Sequence, residues 1–225
     1  MGLNKVTVFR LATTLVQEGL LKQSPRSGTL SISYGLIALG RSLLDPEGLT
    51  SVARPALLKA REATGESINL NVREGWEAVV VQAVDSKQSI RYVLDVGYRS
   101  DLKIGAAGLA ILAFMDEKFI ENALKNSPPS TLSDGSAVDI EALRIQLQEI
   151  KRQGYARTIG QRAQGAVGIA VPFFDQSGEV LGSVSVIGPV FRGEVLNHSL
   201  ICEETARKAA YFITEALAGR ISRVD

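Results

Sequence analysis

The chain of 225 residues is poor in the residue types that build metal, redox and nucleophilic sites. It has a single cysteine, Cys202, so no intrachain disulfide can form and no secretory framework is implied. It has a single histidine, His198, which leaves a zinc-type ligand cluster short of members. No apolar run reaches the ~18 residues that a membrane span needs. The first residues lack the charged, apolar and small-residue order of a signal peptide. These absences lead to the expectation of a cytoplasmic protein with no membrane span, no metal and no cofactor. Excess charge is lacking too: the formal net charge of +1 excludes a uniformly basic nucleic-acid coat.

The residues that are present, 45% apolar and 22% charged, suit one sizeable globular domain with a smaller appendage. Charge is unevenly spread. Residues 1–44 hold Lys5, Arg10, Lys22, Arg26 and Arg41 against Glu18 alone, a net of +4 that leaves −3 for the rest. A basic amino-terminal segment on a mildly acidic body points to polyanion contact at one end.

Apolar periodicity predicts the elements. Over residues 4–18, Val8, Leu11, Ala12 and Leu15 form one helical stripe, with Asn4 as amino-terminal cap and Gly19 as terminator. Residues 20–24 and 29–33 flank Pro25-Arg26-Ser27-Gly28 and read as a hairpin with Arg26 at its tip. A short helix is expected over 35–43, a break at Asp45-Pro46-Glu47-Gly48, and a helix over 49–64 containing Pro55. Alternating runs at 68–72, 78–84 and 90–96 predict three consecutive antiparallel strands. The small-residue stretch Gly105 to Gly108 leads into an apolar run. Helices are expected over 117–125 and 139–152, strands over 165–174 and 180–188 about an Asp175–Gly178 turn, and a long helix over 194–219. Strands, helices, strands and a final helix make an α+β fold with a central antiparallel sheet.

Enzyme chemistry finds little support. His198 and Cys202 are four residues apart on one expected helix and could face each other, but no third orienting group is evident. Gly160, Gly165 and Gly168 do not follow a dinucleotide-binding spacing, and no carboxylate pair is set up for acid–base work. The segment 2–33 suits nucleic acid better. A recognition helix presents its first turns to the major groove, where Asn4, Lys5, Thr7 and Arg10 are of the right types, and Arg26 suits a phosphate or minor-groove contact. On patterning alone, the same residues also read as a solvated amphipathic helix beside an ordinary hairpin.

The stretch Gly2 to Gly40 resembles the second half of the winged helix-turn-helix of the IclR family of bacterial transcriptional regulators. The matching features are Thr7-Val8, Arg10-Leu11, Thr14-Leu15, Glu18-Gly19-Leu20, Gly28 and Leu39-Gly40. The similarity continues through Thr64-Gly65-Glu66-Ser67, Gly105-Ala106-Ala107-Gly108 with Leu112-Ala113, and Gly154-Tyr155-Ala156. It ends on Gly165 with Ile169-Ala170-Val171-Pro172, Asp175 with Gly178, and Ser185 to Pro189.

The resemblance implies a ligand-responsive DNA-binding regulator, a homodimer or homotetramer, whose carboxy-terminal domain has a GAF-like fold and binds a small organic effector. It implies a partial winged helix-turn-helix over 1–44 whose upstream helices are missing, a linker helix over 45–64 and an effector-binding domain over 65–225. Carried over by motif, the effector contacts fall on Ala106, Ala107, Thr158, Gly168, Ser185 and Ile187. Relatives that bind small keto acids place acidic, thiol or hydroxyl groups at several such positions, whereas here only Thr158 and Ser185 carry a hydroxyl. Lys103 and Gln161 stand where a histidine and a glutamate are common. The resemblance therefore implies a roomier, less polar pocket for a larger or aromatic acid. Two alternatives stay open: glycine and alanine at these positions serve close packing only, or the chain is a stand-alone sensor that no longer binds DNA.

Overall fold

The structure is a computed structural model that describes residues 4–37, 48–193 and 195–220. The chain divides into two compact units, Met1–Leu49 and Thr50–Asp225.

In the first unit, helix α1 spans Lys5–Gln17. Asn4 starts it by accepting from the Thr7 amide at 2.9 Å and the Thr7 hydroxyl at 3.0 Å, which occupies one of the orphan donors of the first turn. Gly19, at φ +71°, ends it in a left-handed conformation that costs glycine little. Strands β1 (Leu21–Gln23) and β2 (Leu30–Ile32) pair antiparallel, and Arg26 lies exposed in the turn between them. None of the described residues of α1 is buried, so Val8, Leu11 and Leu15 of the expected stripe are exposed. Residues 35–37 are helical; the remainder of the helix expected over 35–43 lies outside the described residues.

The second unit opens with α2 (Leu49–Thr64), which includes Pro55 and buries Val52, Ala53, Ala56, Leu57 and Ala60. Strands β3 (Ser67–Glu74) and β4 (Glu77–Val84) follow, joined at Gly75. The third strand, β5, is Arg99–Asp101, paired with Val79 to Glu77. The strand expected over 90–96 does not form. Its alternation is real, with Ile90, Val93 and Val96 exposed and Tyr92 and Leu94 turned inward, but the inward side chains line a cavity instead of joining a ladder.

Helix α3 (Gly105–Leu112) is buried at every residue, which is why no amphipathic period marked it in the sequence. Gly108 lets it approach the preceding backbone: a Cβ there would stand 2.8 Å from the Asp101 carbonyl oxygen. Helices α4 (Glu117–Asn126) and α5 (Ile140–Gln153) are capped by the carboxylates of Asp116 and Asp139. Edge strand β6 (Ala156–Ile159), unmarked by periodicity because it is so short, pairs with β7 (Ala166–Phe174), and β7 pairs with β8 (Val180–Pro189). The β7–β8 turn is made by Asp175, whose carboxylate accepts from the amides of Ser177 and Glu179, and by Gly178 at φ +87°. A single turn, α6 (Val190–Gly193), precedes the long α7 (Leu196–Leu217).

The six strands form one antiparallel sheet in the order β5-β4-β3-β8-β7-β6. Helix α7 covers β7 and β8 on one face, and α3 covers β6, β7 and β8 on the other, backed by α5. This mixed sheet-and-helix unit is consistent with a GAF-like effector domain.

Candidate functional site

The sheet face beneath α3 is unusually polar along its central strands. Asn71 donates to the Ser185 hydroxyl at 3.0 Å and to the Ser183 carbonyl at 3.1 Å, and Ser183 donates to the Ala107 carbonyl at 3.0 Å. These bonds satisfy groups that would be costly to bury unpaired and hold the first turn of α3 against β8. Gly168 and Thr158 stand opposite each other in the β6–β7 ladder, and Gly168 faces Ile187 across β7–β8.

Where the sheet and α3 part, a cavity of about 100 Å³ opens. Ala106, Ala107, Thr158, Gly168, Ser185 and Ile187 all line it. The six candidates are thus brought together from α3, β6, β7 and β8. Ala106 and Ala107, read in the sequence only as part of a small-residue stretch, lie in the first turn of a helix without a side-chain cap. Close packing is also satisfied here: a Cβ on Gly168 would lie 3.4 Å from the Ala106 Cβ, an ordinary approach, so glycine widens the cavity more than it permits the contact.

Other lining residues were not among the effector-contact candidates. Tyr92 and Leu94, from the segment read as a strand, and Tyr98 just beyond it close one side. Tyr92 is held there by donating from its hydroxyl to the Gln164 carbonyl at 2.9 Å. Arg162 also lines the cavity, with its guanidinium carbon 4.7 Å from the Tyr98 ring centroid and its Nε buried without a hydrogen-bond partner. Its immediate neighbour Gln161, which accepts from the Gly105 amide at 2.9 Å, was the position singled out in the sequence. Lys103, the other departure, is buried and donates to the Ser127 hydroxyl and, at 2.8 Å, to the Pro128 carbonyl, so it braces a loop and does not reach the cavity wall.

On the opposite face, Glu66 is buried two residues beyond α2. Arg192 grips it bidentately at 2.6 and 2.8 Å, and His198 Nε2 approaches the same carboxylate at 3.1 Å. Arg192 also donates to the Ile90 carbonyl at 2.9 Å, at the start of the segment that carries Tyr92 and Leu94. His198 is therefore engaged by Glu66. Burial, followed by the Glu66 charge, pushes the Cys202 thiol up to about 12, the opposite of what a nucleophile requires.

Of the DNA-contact candidates, Asn4, Lys5, Arg10 and Arg26 are exposed and Thr7 is half-buried. Asn4 and Thr7 are joined in the helix cap, so those two side chains serve α1 first.

Residues 42–213 match the family described as bacterial transcriptional regulator IclR C-terminal. The HTH-type transcriptional regulator KipR of Bacillus subtilis is 25% identical over 187 residues, covering 83% of this chain and 74% of the relative. The HTH-type transcriptional regulator BhcR of Paracoccus denitrificans is 29% identical over 186 residues, 83% of this chain and 67% of the relative. An IclR transcriptional regulator from Alicyclobacillus acidocaldarius superposes with a TM-score of 0.84 at 24% identity, over 97% of this chain and 87% of that one. An IclR homolog from Microbacterium hydrocarbonoxydans, solved in complex with 4-hydroxybenzoate, gives a TM-score of 0.81 at 25% identity, over 96% and 87%.

Proposed function

The chain belongs to the IclR family of bacterial transcriptional regulators, which are not enzymes, and from that premise we propose that it is a ligand-responsive, DNA-binding regulator in the cytoplasm. The observation that carries this reading is the convergence of six motif-matched residues, from four separate elements, on one cavity. A small organic acid binds there, between α3 and the sheet, with Thr158 and Ser185 as hydroxyl partners and Ala106, Ala107, Gly168 and Ile187 as the close wall. The homolog solved with 4-hydroxybenzoate supports an organic acid as the ligand class. Binding modulates occupancy of an operator that Asn4, Lys5, Thr7, Arg10 and Arg26 contact. The family's homodimer or homotetramer carries the response, because an effector shifts an equilibrium only by preferring one of its conformations.

The test is an electrophoretic mobility shift on the chain's own upstream region, with Arg10→Ala as the variant. Arg10 is exposed on α1, so the variant should lose DNA affinity and lower the steepness of the salt dependence, while the melting of the second unit stays unchanged. DNA binding absent in the wild type at low salt, with ligand binding retained, would reduce the protein to a stand-alone sensor.

A further inference from the structure

The cavity contains an unpaired cation that the motif comparison does not account for. Among the residues that line it, Arg162 alone carries a charge, and no carboxylate answers it. Its Nε is shut off from solvent and bonds to nothing, and the guanidinium rests on the Tyr98 ring at 4.7 Å. A cation–π contact compensates part of the lost hydration, but it does not satisfy a buried N–H donor. Gly105 makes this placement possible. At φ +80° it adopts a conformation that other residues rarely take, and a Cβ there would stand 2.4 Å from Arg162 Cδ. The aliphatic stem of the arginine thus lies across the start of α3 in space that only glycine leaves free.

At Ser185 the cavity offers a complementary feature. The Ser185 hydroxyl already accepts from Asn71, so its own proton is available to an acceptor. Ala106, Val186, Ile187 and Leu94 add apolar surface to the same lining. A ligand that satisfies this arrangement needs an anionic head for the planar fork, an apolar body, and an acceptor oxygen.

We propose that Arg162 is the carboxylate-recognising residue of this cavity and that Ser185 donates to a second oxygen of the bound acid. The inference rests on the cavity being the effector site. It is tested by calorimetry and thermal shift on the full chain with linear monocarboxylates from acetate to hexanoate and their 2-oxo analogues, alongside benzoate and 4-hydroxybenzoate, each paired with its uncharged amide.

The expected result is wild-type stabilisation by at least one of these acids and none by its amide. Arg162→Gln should weaken the acid by at least about tenfold and close the gap between acid and amide, while Arg162→Lys retains part of the preference. The ligand-free melting temperature of Arg162→Gln should fall only slightly, since the wild-type group gives up its contact with the Tyr98 ring but no hydrogen bond or ion pair; that separates recognition from folding. If Arg162→Gln binds an acid as the wild type does and still rejects the amide, Arg162 is not the receptor and the cavity remains the effector site. If no acid binds the wild type, both this inference and the organic-acid reading fall.

Discussion

Replacing Arg192 with methionine removes one half of a buried ion pair and leaves the other half in place. The side chain of Glu66 is only 3% exposed, and Arg192 supplies two of its short hydrogen bonds. Breaking such a pair from one side costs about 3–5 kcal/mol, because the remaining charge stays desolvated without compensation. His198, 3.1 Å from the same carboxylate, retains part of the stabilisation, so the expected loss is about 2–4 kcal/mol. For a unit of this size that corresponds to a fall of roughly 5–15 °C in melting temperature.

Adding Glu66→Gln to Arg192→Met should restore most of the loss, since the neutral amide no longer needs a cation. Glu66→Gln alone should cost less, about 1–2 kcal/mol, because Arg192 is partly exposed and can turn to water. Urea denaturation of the four proteins gives the double-mutant cycle, followed at constant slope so that the midpoints are comparable. If the two single losses add within about 0.5 kcal/mol, the stranded-charge reasoning is refuted and Arg192 acts only through packing and its bond to Ile90.

Three further outcomes are expected. Gly168→Leu should abolish stabilisation by whichever acid binds while leaving DNA affinity intact: the first carbon fits beside Ala106 and Thr158, and the rest must occupy the cavity, so an unchanged ligand response would remove Gly168 from the site. Cys202 should react with a maleimide far more slowly in the folded protein than in denaturant, because its thiol is pushed up to about 12; a fast native reaction would contradict its burial beside Glu66. Glu121 is held at about 2, first by its hydrogen bond from Arg144 and then by Lys125. A carboxylate lowered on folding adds stability above its ordinary range and loses it as pH falls through about 2, so the acid limb of the stability curve should be shallower in Glu121→Gln than in the wild type.

Much of the fold was legible because half-buried elements carry a period. Helices α2, α4, α5 and α7 formed within a few residues of their expected bounds, as did strands β3, β4, β7 and β8 with the Asp175–Gly178 turn. The short strand β5, the single turn α6 and three further stretches were not legible. Helix α3 is buried on all sides and shows no stripe, β6 is too short to alternate visibly, and residues 90–96 alternate without pairing. The six effector candidates came from motif resemblance, and no periodicity pointed to them. Arg162, beside the singled-out Gln161, was passed over because a charged residue in a turn ordinarily faces water.

The sequence by itself determined which residues need an apolar environment, where the chain must turn, and, through its ordered motifs, which family's pattern it follows. It did not determine what fills that environment. Alternation reports that Tyr92 and Leu94 face inward, and it reads the same whether a strand or a cavity lies on that side. Only the tertiary structure brought Glu66 to Arg192, 126 positions away in the chain. Only the tertiary structure laid Arg162 over Tyr98 beside six residues drawn from four elements. Local propensity acts over a few neighbouring residues, whereas charge pairing, desolvation and cavity shape depend on distances through space, and those exist only after the sheet has closed around α3.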